Sequence, residues 1–162
     1  MVATLTLRVY TGTNAGTESA TVTGIDMISA DNATNSLANR QANPISVGTK
    51  SYDKWLKLKL STAPDNGVTN FLVWGDGAVG SSTTLMVGAN QITGVTPVAT
   101  TSSVATTTFA GYTSGNKLQW DATSYSATDD TTRYLVFQLV VDADANPGNW
   151  GQETVSFSFD ET

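Results

Sequence analysis

The residue pattern closest to a metal site lies near the end of the chain. Asp142, Asp144, Asn146 and Glu153 occupy positions 1, 3, 5 and 12 of a calcium-binding loop pattern, and oxygen ligands at that spacing can surround a hard cation. Pro147, however, stands where such a loop needs glycine, and a hairpin turn accounts for the same residues without metal. We therefore expect neither a metal nor a cofactor. These four residues are the candidate ligands if calcium binds.

A second pattern combines lysine with tryptophan. Alternation along a strand places Trp55, Lys57 and Lys59 on one face and the leucines at 56, 58 and 60 on the other. Such a stripe can bind an acidic partner. It can equally be a solvated face on which lysine stems pack against Trp55. Half of the eight Lys and Arg residues lie in this segment: Lys50, Lys54, Lys57 and Lys59.

Two further patterns lack the context that their chemistry needs. Residues 75–80 match G-x-G-x-x-G, but no predicted helix follows to hold a phosphate, so a flexible hairpin loop is the better interpretation. Asp129 and Asp130 offer the two carboxylates of a glycosidase without any recognisable signature around them. The glycine pattern predicts no activity, and a carboxylate glycosidase stays as the last alternative function.

The aromatic residues leave a sugar-binding alternative open. Four Trp and five Tyr could include a flat platform for sugar rings, although most large aromatics of a small β-sandwich belong to its core. A carbohydrate-binding sandwich would need exposed Trp or Tyr rings in one plane on one face.

Composition excludes many other classes. The 162-residue chain has no Cys and no His, which removes thiolate nucleophiles, Ser-His-Asp hydrolysis and the commonest metal ligands. A net charge of −6 argues against nucleic-acid binding, which needs clustered Lys and Arg. No apolar run approaches a membrane span, and the first residues lack the pattern of a secretory signal, so we expect the mature chain to start here.

The elements that must position these residues are strands. Alternating polar and apolar residues open and close the chain, and turn residues separate the other predicted strands. This spacing predicts a single all-β domain over residues 1–162, a sandwich of about eight or nine strands of jelly-roll or immunoglobulin-like type. The predicted strands are Thr4–Tyr10, Thr21–Ile28, Lys54–Thr62, Thr69–Trp74, Thr84–Val87, Val104–Phe109, Lys117–Trp120, Arg133–Val141 and Thr154–Phe159.

Turns and one loop complete this prediction. Pro64–Gly67 and Asn146–Asn149 have the residues of hairpin turns and are predicted to pair the strands on either side. The run Arg133–Val141 is apolar on both faces, as in a strand covered on both sides. A polar, Asn-rich segment around residues 30–45 is predicted to be a long irregular loop, and a loop of that length is often functional.

Several segments resemble small virion proteins of tailed bacteriophages. The resemblance covers about half of the chain: the Asn-rich loop, the strand after it and the final hairpin. It rests on structural motifs rather than catalytic ones. The segments that carry it are Ile25–Ala33, Arg40–Ile45, Gly48–Leu56, Asn146–Trp150 and Phe157–Glu161.

This resemblance implies a capsid decoration or cement protein without enzymatic activity. Such a protein is made in the host cytoplasm, binds the major capsid protein on the outer surface of the virion and often forms a homo-oligomer, with a trimer favoured. Strand edges at both termini and the Asn-rich loop are then expected to make the contacts. A tail, neck or fibre module is the first alternative. The expected interface residues are Asn32, Asn35, Asn39, Arg40, Asn43, Trp55, Lys57 and Lys59.

Overall fold

The computed structural model describes residues 2–77, 79–102, 104–146 and 152–162. Over these residues the chain is nearly all β, with nine strands in two antiparallel sheets and one short helix, α1, at Leu37–Ala42. The strands are β1 Thr4–Thr11, β2 Thr17–Glu18, β3 Lys54–Thr62, β4 Val68–Gly75, β5 Thr83–Gln91, β6 Thr107–Thr108, β7 Leu118–Asp121, β8 Tyr134–Val141 and β9 Val155–Glu161.

The two sheets enclose the core. The large sheet has the order β2-β1-β3-β8-β5-β6, and the small sheet has the order β7-β4-β9. One cluster of buried apolar side chains unites them, with Leu58 and Phe137 from the large sheet and Phe71 and Trp120 from the small one. The predicted all-β sandwich is therefore confirmed.

Both faces of strand β8 are apolar because each face packs in a different cluster of buried side chains. Leu135 and Phe137 belong to the core between the sheets, whereas Tyr134 and Val136 belong to a second cluster on the outer face. Gln138, the polar residue of that outer face, is 1% exposed. Its side chain donates to the carbonyl groups of Ser51 and Thr100 and accepts from the amide of Ser102. Loop segments thus cover β8 from outside, as predicted.

Some predicted strands are shorter or absent. Residues 21–28 form no strand: Val22 makes one isolated bridge to Leu7, and Ile25 and Met27 pack half-buried against the core. The predicted strand at 104–109 is reduced to β6, because a 3₁₀ turn begins at Phe109. In both segments the apolar residues fill gaps in the core without pairing along a strand.

The predicted hairpins are wrong. Strands β3 and β4, which flank Pro64–Gly67, lie in different sheets, so this turn carries the chain from one sheet to the other. The same holds for β8 and β9, although residues 147–149 of that turn lie outside the described residues. Residues 75–80 also cross between the sheets, from β4 to β5, and Ala78 is outside the described residues. Turn residues reverse the chain, but the core decides which strands pair.

Within the described residues, no helix is long and apolar enough to span a membrane.

Candidate functional site

The Asn-rich loop begins at a buried carboxylate that fixes the short helix. Asp26 is 8% exposed, and its side chain accepts hydrogen bonds from the Ser36 amide at 2.9 Å and from an Arg40 guanidinium nitrogen at 2.7 Å. The Ser36 hydroxyl in turn caps α1 by accepting from the Asn39 amide. The loop was predicted to be irregular, and the cap explains why residues 37–42 form a helix instead.

Three asparagines then tie the loop to itself. The side chains of Asn32 and Asn39 donate to each other, and Asn39 also donates to the Thr34 carbonyl group at 2.6 Å. Asn43 donates to the carbonyl and side-chain oxygens of Asn39. We call Asn32, Asn39 and Asn43 the asparagine network. It holds the loop in one conformation through side-chain hydrogen bonds.

A buried lysine anchors this network to the large sheet. The Nζ of Lys54 donates to the carbonyl groups of Ala30 and Asn32 at 3.0 and 2.9 Å. Lys54 is 2% exposed. Burial lowers its pKa to about 8, against the attraction of the Asp31 and Asp26 carboxylates. The loop is therefore held by a buried ammonium group whose hydrogen bonds are made to loop carbonyl groups.

Sequence reasoning placed Lys54 only among the basic residues and missed its structural role, although a signal was present. Lys54 shares the alternation of Leu56, Leu58 and Leu60, so its side chain starts on the core-facing parity of β3. A lysine at that parity must find hydrogen-bond acceptors near the strand end. No comparable pattern in the sequence indicated that Asp26, the other buried charge that organises the loop, would be buried.

The loop contacts two other loop segments near the end of β1 and the start of β3. The Gly12 amide donates to Asp31 at 2.7 Å, and the Asn14 amide donates to Thr96 at 3.0 Å. The Asp53 amide donates to the Val98 carbonyl group. We call residues 12–15, 26–44 and 92–102 the loop layer.

The loop layer exposes both apolar and polar side chains. Leu37 is 56% exposed and Ile92 is 71% exposed. Val95 and Val98 are also exposed. Of the five loop residues expected at an interface, Asn35 and Arg40 are exposed and hydrogen-bonded to each other, whereas the asparagine network is partly buried.

The structure departs from the predicted stripe of lysine and tryptophan at Trp55, which is buried. Trp55 is 1% exposed and packs edge-on against Tyr134 in the outer cluster, because the segment that contains Ala105 covers this face. The expectation that Trp55 lies at an accessible interface is therefore wrong. The alternation itself is confirmed, since Leu56 and Leu58 face the core.

The two lysines of the stripe are engaged within the chain. Lys57 Nζ lies 4.0 Å from the centroid of the Tyr134 ring. Lys59 Nζ forms ion pairs with Glu18 at 3.3 Å and with Asp129 at 3.2 Å. Their stems are half-buried, but Lys57 packs against a tyrosine ring and not against Trp55, where the solvated-face interpretation placed the lysine stems.

The calcium candidates do not form a cluster. Glu153 Oε1 accepts from the Gly77 amide at 3.3 Å, and burial raises the pKa of this carboxyl group. Asp142, Asp144 and Asn146 are exposed in the turn after β8. Among the described residues, no three acidic, His or Cys side chains come together as a metal site would require.

The carboxylates proposed for glycosidase chemistry serve local structure. Asp130 accepts from the amides of Ser126 and Ala127, and Asp129 pairs with Lys59. Asp121, which the sequence did not single out, is 1% exposed and accepts from the Tyr125 hydroxyl at 2.8 Å and the Arg133 amide at 2.7 Å. These contacts hold the 121–133 loop.

The aromatic residues do not form the flat platform that sugar binding would need, as far as the described residues show. Trp55 and Trp120 are both 1% exposed. Trp74 is half-buried beneath Lys117, whose Nζ lies 4.3 Å from the ring centroid. Trp150 lies outside the described residues.

No protein-family model, curated protein or solved structure matches this chain.

Proposed function

We propose that this protein is a non-enzymatic binding module of a virion, which decorates the outer surface of a phage capsid and bridges subunits of the major capsid protein. The observation that carries this proposal is the loop layer: a surface held rigid by its own hydrogen bonds while it exposes apolar side chains. A rigid surface loses little conformational entropy on binding. The exposed apolar side chains of the layer, such as Leu37 and Ile92, would leave water on contact with a protein partner.

The construction of the layer supports a binding role over a catalytic one. The two buried charges that hold the layer, Asp26 within it and Lys54 of β3, make backbone and side-chain contacts with the loop. The groups left at the surface, such as Leu37, Arg40 and Ile92, suit contact with another protein surface.

The virion setting rests on the resemblance of the loop, the following strand and the C-terminal segment to small phage proteins. In that setting, copies that bind the intact shell better than its dissociated parts would stabilise the shell. Many copies per shell make weak binding by each copy sufficient. A tail, neck or fibre module with the same loop layer is the alternative.

The proposal is tested by co-sedimentation with heads of the phage that encodes this chain, after the heads have been stripped of accessory proteins. We expect saturable binding at a fixed number of copies per shell. Leu37→Glu places a charge at the exposed side of α1 and should weaken binding about tenfold or more, as for an interface anchor. Ser114→Glu introduces the same charge at an exposed residue outside the loop layer and both terminal strands, and should bind as the unchanged protein does.

Three results would contradict the proposal. The first is a folded protein that does not bind stripped heads. The second is equal binding by Leu37→Glu and the unchanged chain. The third is undiminished attachment after deletion of residues 32–43. Binding to tail tubes or fibres but not to heads would support the alternative.

A further inference from the structure

Strand β9 is paired along one side only. Its neighbour is β4, with Ser158 opposite Leu72 and Phe157 opposite Val73, and among the described residues no other strand pairs with it. Alternate residues of the seven-residue strand β9 therefore direct their backbone N–H and C=O groups to the free edge of the small sheet. An unpaired edge of this length is a template for another strand.

The side chains of β9 also show that the core is incomplete at this edge. Phe71 and Val73 of β4 are 0% exposed, because β4 lies between two strands. Val155, Phe157 and Phe159 of β9 pack against the same core but are only partly buried. A strand added beyond β9 would cover the apolar surface that these three residues leave exposed.

We propose that this edge binds β9 of a second copy of the chain, antiparallel and centred on Ser158. In this register Phe157 of each copy lies opposite Phe159 of the other, on the core side of the sheet. Two aromatic cross-strand pairs then extend the core across the contact. The small sheets of the two copies become one continuous six-stranded sheet.

Charge selects a second copy and its orientation. Asp160 and Glu161 stand together at the end of β9. Antiparallel pairing places Asp160 opposite Ser156 and Glu161 opposite Val155, so that the acidic groups of the two copies lie at opposite ends. Parallel pairing in register would set carboxylate against carboxylate, which is unfavourable. The strand is thus self-complementary in one orientation.

A contact that pairs a strand with its own copy closes after two chains, so it predicts a dimer where the resemblance implies a trimer. The contact is small beside the roughly 1,600 Å² of a standard stable interface, and we expect the dimer to dissociate on dilution. This inference specifies the self-association within the proposed function. It does not depend on the capsid, since it is tested with the purified chain alone.

Single cysteines test the register directly, because the chain has no Cys of its own. Ser158→Cys places two thiols across the two-fold axis, where paired strands hold Cα atoms about 4.5 to 5.5 Å apart, within disulfide range. Ser156→Cys is the matched control, since its two copies would lie about 13 Å apart along the strands. On mild oxidation the first variant should form covalent dimers and the second should remain uncrosslinked.

Charge substitutions at the same positions give an independent equilibrium measurement by sedimentation velocity over a concentration series. Ser158→Lys opposes two new cations and should weaken the dimer about fivefold or more. Ser156→Lys faces Asp160 of the other copy in two symmetric pairs and should strengthen the dimer by about fivefold. Circular dichroism should show that all variants keep the β spectrum.

Monomers at every concentration would overturn the inference, as would a trimer or covalent dimers formed equally by both cysteine variants. Loss of head binding with an intact dimer would instead contradict the proposed function alone. Equal effects of the two lysine substitutions would exclude the register centred on Ser158.

Discussion

The side-chain amides of Asn32 and Asn39 donate hydrogen bonds to each other, at 3.1 and 2.9 Å. This reciprocal pair uses both the donor and the acceptor of each amide and joins the start of the loop to the middle of α1. Asn39 also accepts from the side chain of Asn43, at 3.0 Å. Side-chain amide groups therefore join α1 to the rest of the loop, since no residue of α1 is buried.

Asn39→Ala should destabilise the protein more than any exposed substitution in α1. It removes both bonds with Asn32, the bond to the Thr34 carbonyl group and the bond from Asn43, and each of these partly exposed hydrogen bonds contributes about 0.5 kcal/mol. We expect a loss of about 2 kcal/mol in the free energy of unfolding, which lowers the Tm by about 4 to 8 °C. Gln41→Ala, at an exposed position of the same helix, is the control in thermal unfolding. Equal Tm values for both variants would show that the network contributes nothing.

Lys54→Met should loosen the loop without unfolding the sandwich. The substitution keeps a long stem but leaves the carbonyl groups of Ala30 and Asn32 without their donor, at a cost of about 1 to 3 kcal/mol. Hydrogen exchange followed by mass spectrometry should show faster exchange in residues 30–43, with β8 unchanged.

Lys50→Met is the control for Lys54→Met, because Lys50 Nζ contacts only the exposed Thr101 hydroxyl among the described residues. It should leave exchange in the loop as it is in the unchanged chain. If exchange in residues 30–43 were the same in all three proteins, Lys54 would not be the anchor of the loop.

The alternation of apolar residues was enough to predict which faces of β3 and β8 are buried. The alternation at 56, 58 and 60 placed three leucines toward the core, and the doubly apolar run at 134–141 identified a strand covered on both sides. Both predictions hold because side chains alternate along any strand, whatever its neighbours are. The burial of Trp55 could not be found in this way, since the segment that covers it lies about fifty residues later in the chain.

Pairing was not predictable from the turns. Pro64–Gly67 has the residues of a hairpin, yet β3 pairs with β1 and β8 while β4 pairs with β7 and β9. The choice between a hairpin and a crossing depends on how apolar faces from distant strands close one core, which is a non-local property. The helix at 37–42 was missed for a related reason, because its stability depends on Asp26, ten residues before its cap.

Gly88→Ala tests the crossing of the 104–105 segment over β5. A Cβ added at Gly88 would clash with the Val104 carbonyl group and approach the Ala105 amide, both of which are backbone atoms. Backbone cannot move aside as a flexible side chain can, so we expect a loss of about 1 to 3 kcal/mol. Chemical denaturation measures this loss. Gly111→Ala, where a new Cβ meets nothing within 4 Å, is the control, and a comparable loss there would contradict the prediction.

Asp53 should make the stability of the protein depend on pH below neutrality. It is 4% exposed, and burial raises its pKa from 3.8 to about 6, against the opposing effects of Ser102 and Lys50. The folded state therefore holds the proton more tightly than the unfolded state. The contribution of this group to stability is complete below pH 3.8 and is lost as the pH rises to about 6.

Asp53→Asn removes this titration while keeping the shape of the side chain. The two proteins should have similar free energies of unfolding near pH 4. The variant should be the more stable at pH 7, by on the order of 3 kcal/mol for a pKa shift of this size. Glu153, whose pKa burial also raises, is present in both proteins, so its effect cancels in the difference. Urea unfolding at half-unit intervals from pH 4 to 7 gives this difference, and parallel profiles for the two proteins would show that Asp53 does not titrate in this range.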